Sequence, residues 1–196
     1  MILSNKKYKI IYADPPWKYG TFANTGPLFH GKRSKFRITP YEGMELDEIK
    51  KLPINEISDD NAVLLLWVTY PCLQEGFQVI KAWGFEYKTV VFTWVKRNRN
   101  GIGWFFGLGN YTRANAEICL LAVKGKGVPV ISKNVRQIID LPITGHSEKP
   151  DEARQRIIKL FGDLPRIELF ARIKPFGWDV FGNDDKLELQ PLEVFS

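Results

Sequence analysis

The chain has 196 residues, 44% of them hydrophobic, with six Trp, thirteen Phe, a net charge of +6 and a pI near 9.2. That length suits one domain with a sizeable core. It contains no run of eighteen apolar residues, so no membrane-spanning helix is expected. Its start, MILSNKKYKIIYADPP, lacks the apolar region and small-residue cleavage site of a signal peptide and reads as mature, cytoplasmic sequence. Cys72 and Cys119 sit in apolar surroundings and read as reduced core thiols. Two Cys and two His at scattered positions make no metal site of standard spacing.

The first predicted strand, YKIIYA at 8–13, runs straight into Asp14-Pro15-Pro16-Trp17. Residues 18–43 are polar, basic and rich in Gly, Thr and Pro, and they lead through Tyr41-Glu42-Gly43 to a short helix expected at 46–51. A second strand, AVLLLWVT, is predicted at 62–69, and a helix at 72–84 ends on the Gly84 stop. KTVVFTWV at 88–95 and EICLLAV at 117–123 read as two more strands. Between them, residues 97–116 interleave glycines with Trp104, Phe105, Phe106 and Tyr111. The segment 149–162 places Pro150 at a helix start, acids in the first turn and Gly162 at the stop. RIELFA at 166–171 is the fifth strand. Most of these strands are near-continuous in Val, Ile and Leu rather than alternating, which marks burial on both faces. An α/β fold with a mostly parallel sheet follows. The long 18–43 and 97–116 loops break the rhythm, and loops of that length in a compact domain are usually functional.

Charge is uneven. Lys18, Lys32, Arg33, Lys35 and Arg37 fall in a stretch without a single acid, KRNR occupies 96–99 with Arg113 beyond it, and Lys124, Lys126, Lys133 and Arg136 form a third cluster. Such clusters suit phosphate contacts as well as ordinary solvated surface.

The DPPW corner carries the chemistry. In an α/β sheet, ligands sit beyond the carboxyl ends of the strands, where Asp14 falls. Proline has no N–H, so Asp14-Pro15-Pro16 offers a carboxylate and carbonyls in a stiffened loop. Trp17 adds a flat face for stacking. A planar group bearing an NH2 fits such a corner. Acceptance of both amine hydrogens, by Asp14 and the Pro15 carbonyl, would aim the nitrogen lone pair at an activated methyl group, so that the protein mainly positions. Asp14 is an orienter and electrostatic partner here, being far too acidic to deprotonate an aromatic amine beforehand.

With DPPW at 14–17 go PYEGM at 40–44, LLLWVT at 64–69, WGFEY at 83–87 with TWVK at 93–96, HSEKPDE at 146–152, ELFAR at 168–172 and GWDVFGN at 177–183. In that order they resemble the adenine N(6)-methyltransferase family that includes the catalytic subunit of the eukaryotic mRNA methyltransferase, with bacterial and phage members. The resemblance spans roughly residues 8 to 184. It implies a single Rossmann-like methyltransferase domain over 1–196 in permuted order, the catalytic DPPW strand first and the cofactor strand near the C-terminus. It also implies S-adenosylmethionine as cofactor. Asp14 would contact cofactor and amine, with Pro15, Pro16 and Trp17 completing the catalytic corner. Trp17 would line the base pocket and Tyr41 would belong to a gate loop over the adenosine. Lys149 would pair with the cofactor carboxylate, and Arg172 and Asn183 would bind its ribose or amino-acid end. From the residues alone, Lys149 before a helix start suits an anion, Arg172 equally suits an ion pair, Asn183 after Gly182 suits a turn, and Tyr41 suits packing. Asp184 is shorter than the Glu or Gln common in the family at that place, which puts a ribose contact there in doubt.

The expected activity is methylation of the adenine 6-amino group in nucleic acid, DNA favoured over RNA. The 18–39 and 97–113 loops, with Lys96 and Arg113, are the expected nucleic-acid contacts. Two alternatives stay open: the same chemistry on RNA, and a non-catalytic nucleic-acid-binding partner subunit. The 97–116 loop also leaves a homodimer open, and the C-terminal DDKLELQPLEVFS reads as a tail or a docking strand.

Overall fold

The computed structural model describes residues 6–18, 43–107, 111–144 and 148–182. Seven strands form one sheet: β1 (Tyr8–Ala13), β2 (Ser58–Val68), β3 (Glu86–Arg97), β4 (Ala116–Lys124), β5 (Ile138–Pro142), β6 (Arg166–Ala171) and β7 (Asp179–Gly182). Their spatial order is β5-β3-β4-β2-β1-β6-β7. Strand β1 pairs in parallel with both β2 and β6, β6 with β7, and β3 with β5, whereas β4 is antiparallel to both of its neighbours. Six strands therefore point one way and β4 alone points back. This is the mostly parallel Rossmann-like architecture expected of a methyltransferase.

Helices α1 (Leu46–Lys50), α2 (Ile54–Ile57) and α3 (Leu73–Ala82) cover one face, and α4 (Glu152–Phe161) covers the other. The alternation of β2 shows why its sequence is continuously apolar. Leu64, Leu66 and Val68 enter the core beneath α1–α3, while Val63, Leu65 and Trp67 enter the core beneath α4. At the heart of the sheet, Ile10, Ile11, Ala13, Leu64, Leu65 and Leu66 are fully buried.

Indoles fasten the layers. Trp83 Nε1 donates to the Ile49 carbonyl at 2.9 Å, tying the end of α3 to α1. Trp94 Nε1 reaches the Leu141 carbonyl at 2.9 Å across the β3–β5 edge. Trp67 Nε1 donates to Tyr12 Oη at 2.7 Å inside the second core. Each large apolar body is buried with its one polar atom satisfied.

The structure adds two strands to the five expected. Both lie at sheet edges and are short: β5 is half exposed, and β7 is only partly buried. Long apolar runs mark only strands covered on both faces, so the edges escape that signal. Pro150 precedes helix α4 rather than opening it, since the N-cap is Asp151. Both cysteines are free and buried, as expected. Among the described residues there is no cluster of metal-ligating side chains and no helix long and apolar enough to cross a membrane.

Helix α4 is locked to β6 by a buried fork. Arg154 Nε and Nη2 donate to the two carboxylate oxygens of Glu168 at 2.7 Å each. Burial pushes the Glu168 carboxyl up, and Arg154 opposes that shift. Removing one partner of such a pair strands a charge. Arg154→Ala should therefore cost about 3–5 kcal/mol in urea unfolding; a loss below about 1 kcal/mol would equate the pair with a surface one.

Candidate active site

Because β1, β3 and β6 run the same way, their C-terminal ends line one edge of the sheet, and reversed β4 begins there. Asp14 directly follows β1, Lys96 lies near the end of β3, Glu117 near the start of β4, and Arg172 follows β6. Lys149 enters from the extended segment ahead of α4.

These residues form one chain of charge. Lys149 Nζ donates to Asp14 Oδ2 at 2.7 Å and lies 3.2 Å from Glu117 Oε2. The other Glu117 oxygen accepts from Lys96 Nζ. The Lys149 side chain is only 7% exposed, whereas Asp14 keeps 24% of its side-chain surface open. The Trp67 ring lies near Lys149, its centroid 5.6 Å from Nζ.

Burial raises the Asp14 carboxyl above the ordinary aspartate range. The Lys149 ammonium pulls it back and the Glu117 carboxylate pushes it up again, while the charge of Arg172 also lowers it. Burial alone would depress the Lys149 ammonium, but Asp14 and Glu117 outweigh it and hold that group well above its usual value. Glu117 is pushed up by burial, yet Lys149 and Lys96 together bring it below the usual glutamate range. Burial and Glu117 thus raise the Asp14 carboxyl while Lys149 opposes them, and the two carboxylates favour the charged form of Lys149.

The DPPW corner is rigid for local reasons. Trp17 N–H donates to the Pro15 carbonyl at 2.8 Å, and Met44 N–H to the Pro16 carbonyl at 2.8 Å. Trp17 and Met44 form an isolated parallel bridge. Gly43 permits this closeness, because a Cβ there would stand 2.9 Å from Lys18 Cα. The PYEGM segment is therefore the second rail of the corner. The carbonyls expected to stand free each accept one backbone donor, and both prolines are buried.

Two expected roles change. Trp17 is buried to 7% exposure in the first core, and its Nε1 donates to the Trp67 carbonyl at 3.1 Å. It braces the corner rather than offering an open stacking face, because its apolar body and its donor are both already used. Lys96, expected on phosphate, is spent on Glu117 and sits inside the charge cluster. Two of the three cations in the KRNR patch are paired in this way, since Arg97 forks Asp140 with two 2.7 Å bonds. Arg113 is exposed, 5.0 Å from the centroid of the Phe106 ring. Tyr41 and Asn183, with most of the 18–43 loop, Asp184 and the C-terminal tail, lie outside the described residues.

Sequence reasoning missed Glu117. Its signal was a lone acid at the head of a buried strand, where an unpaired charge is costly. Phe170, buried at the end of β6, adopts φ 62, a left-handed backbone rare for a bulky side chain, where the β6–β7 register shifts. Strain of this kind gathers at ligand sites.

Comparison with known proteins decides the family. The MT-A70 family model matches residues 8–184. The chain belongs to the MT-A70 family. It is 37% identical to the type II methyltransferase M.MunI of Mycoplasma sp over 95% of this chain and 83% of that protein. It is 29% identical to the Homo sapiens N(6)-adenosine-methyltransferase catalytic subunit METTL3 over 90% of this chain but 28% of that protein, and 29% identical to the MT-A70-like protein of Drosophila melanogaster over 97% and 29%. The chain thus spans under a third of these eukaryotic relatives. As a member of the family it is an S-adenosylmethionine-dependent adenine N(6)-methyltransferase.

The donor set fits that cofactor. An ammonium has three donors, and Lys149 spends two, leaving one for the carboxylate of an amino-acid moiety. The partly open Asp14 suits the cationic groups of the same molecule.

The opposed pulls on Asp14 have a measurable consequence. Activity that needs Asp14 ionised should fall as pH drops through its raised pKa, giving kcat/KM an acid limb. Glu117→Gln removes a charge that raises that pKa and should move the limb to lower pH. Lys149→Met removes the largest lowering influence and should move the limb the other way. Profiles that shift together, or not at all, would separate Asp14 from this cluster.

Proposed function

We propose that the chain methylates the 6-amino group of adenine in DNA, with Asp14 as the group that grips the amine. The observation that carries this reading is the half-open Asp14 carboxylate at the end of β1, held by buried Lys149 on a corner that two backbone bonds make rigid. Preference for DNA rests on the likeness to a type II methyltransferase across most of that protein's length.

In this reading Asp14 accepts one hydrogen of the amine and the Pro15 carbonyl accepts the other. The nitrogen lone pair is thereby turned out of the ring plane. S-adenosylmethionine, when bound, supplies an already activated methyl group. Asp14 stabilises the positive charge that grows on nitrogen, and then takes the proton that the methylated nitrogen sheds. Lys149 and Arg172 hold the cofactor carboxylate, and Glu117 with Lys96 fixes the position of Lys149. Tyr41 and Asn183 keep the roles that the family resemblance gives them: gate over the adenosine and cofactor contact. The permuted strand order belongs to this reading too, with β1 carrying catalysis and adjacent β6 carrying the cofactor.

The aromatic Gly-rich 97–113 segment is proposed to contact nucleic acid. Among its described residues Arg97 lies 4.0 Å from the Trp104 ring centroid and Arg113 lies over Phe106, so cations stand beside exposed aromatics. A homodimer through the 97–116 segment is the alternative, which sedimentation equilibrium distinguishes.

The test offers labelled S-adenosylmethionine with duplex DNA, single-stranded DNA and RNA. Wild type should place label in N(6)-methyladenine of DNA, and Asp14→Ala should lose at least about 100- to 1000-fold of that rate. Label confined to RNA would overturn the DNA assignment. Equal labelling by the variant would overturn the role of Asp14, and failure to bind the cofactor in calorimetry would favour a non-catalytic partner subunit.

A further inference from the structure

We infer that Arg99, at the apex of a β-hairpin over residues 97–104, reads a guanine in the major groove of duplex DNA near the target adenine. This rests on the DNA reading above and deepens it from contact to choice of sequence.

The hairpin is tied to the site at its root. Lys96 donates through Nζ to Glu117, Glu117 also meets Lys149, and Lys149 holds Asp14. It then rises past the site. Register across the sheet runs from Ala13 to Leu66, Leu120 and Val90, so β1 stops at a level from which β3 still continues to Arg97. At about 3.3 Å per residue this overhang is roughly 20 Å. The tip can therefore enter a groove of a duplex lying across the Asp14 edge.

The hairpin is built rather than slack. Arg97 and Trp104 form an antiparallel bridge, and Phe105 N–H donates to the Lys96 carbonyl at 2.8 Å. Gly101 N–H donates to the Asn98 carbonyl at 2.8 Å, which makes Arg99 and Asn100 the central residues of a tight turn. Two asparagine side chains close the same turn. Asn98 Nδ2 donates to the Ile102 carbonyl at 2.8 Å, and Ile102 N–H donates to Asn100 Oδ1 at 3.0 Å. Gly101 adopts φ +76 with open space where a Cβ would stand, so backbone conformation alone calls for glycine there.

The turn singles out one cation. Lys96 is engaged by Glu117, and Arg97 by Asp140 and the Trp104 ring. Arg99 is exposed and has no hydrogen bond or ion pair among the described residues. From Lys96 to Asn115 the sequence holds no acid, so nothing on the ribbon repels a polyanion. A two-stranded ribbon fits the major groove, about 12 Å wide, but not the minor groove, about 6 Å wide. A guanidinium placed there matches O6 and N7 of guanine with two parallel bonds. A base edge must be met at a fixed angle, and a pinned turn supplies one; a phosphate contact needs no such fixing. Strands β4 and β2 separate β3 from β1. At about 4.8 Å per strand spacing and about 3.4 Å per base step, the guanine lies within about five steps of the adenine.

The experiment maps the adenines that wild type and Arg99→Ala methylate in genomic DNA, and then compares single duplexes. Wild type should prefer a G·C pair at one position within about five steps of the target, by about tenfold or more over other pairs. Arg99→Ala should cut that preference to within about twofold and leave the other positions of the site as strict as before. At the same position 7-deazaguanine, which lacks the N7 acceptor, should slow wild type about threefold or more and leave Arg99→Ala unmoved. The thermal midpoint and the calorimetric affinity for S-adenosylmethionine should not change, since the side chain touches neither core nor cofactor residues. A loss spread evenly over all sequences, with a salt slope smaller by about one, would make Arg99 a phosphate contact and overturn the inference. A wild-type site with no guanine in that window would overturn it as well. So would methylation of single strands only, or dissociation of a homodimer by Arg99→Ala. Absence of methylation from every DNA with wild type would fail the DNA reading itself and this inference with it.

Discussion

One ammonium shared by two carboxylates organises this protein. Lys149 bridges Asp14 and Glu117 from a nearly buried position, and a buried charge survives only when paired and hydrogen-bonded. Asp14 comes from the end of a strand and Glu117 from near the beginning of one. In a wholly parallel sheet, strand ends and strand beginnings lie at opposite edges. The reversal of β4 is what brings an acid from a strand's first turn of chain to the edge where Asp14 stands. The single antiparallel strand is therefore part of the site's construction.

Packing and chemistry share residues at this edge. Trp67 accepts the Trp17 indole N–H through its carbonyl, donates through its own Nε1 to Tyr12, and lays its ring near Lys149. The same residue braces the DPPW corner, fills the core beneath α4 and lines the charge cluster. Methyl transfer asks the protein mainly for position, and position is only as good as the residues behind the contacting ones. A corner pinned by Trp17, Met44 and Gly43 meets that need.

Much of this was legible in the sequence, for identifiable reasons. The five expected strands are apolar runs, although β3 is buried only at Phe92 and Trp94, and β1 and β6 have the bounds that their runs suggest. The edge strands β5 and β7 left no such run. Asp14 and Lys149, 135 residues apart, were each picked out singly, one for its proline-stiffened acceptors and one for its place before a helix. Their direct contact was not legible, because it depends on sheet order. Glu117 and the reassignment of Lys96 were hidden for the same reason: a charge reads as solvated until topology shows what faces it. Trp17 misled in the opposite sense. A large ring next to a catalytic acid suggests stacking, yet its indole donor found a backbone carbonyl and took the ring inside.

On the proposed role of Asp14, the cluster also explains how an aspartate can serve a reluctant nitrogen. A fully solvated Asp is a weak acceptor, and one buried alone would take up a proton and lose its charge. Here burial raises the carboxyl, Lys149 restrains it and Glu117 lifts it again, so the carboxylate is a stronger acceptor than an ordinary aspartate. The two ammoniums and two carboxylates of Lys149, Lys96, Asp14 and Glu117 balance, so the negative charge on Asp14 adds no net charge to the low-dielectric corner. Binding energy is then free to act on orientation. Lys149 lowers the Asp14 carboxyl and Glu117 raises it, and both carboxylates meet at the one Lys149 nitrogen.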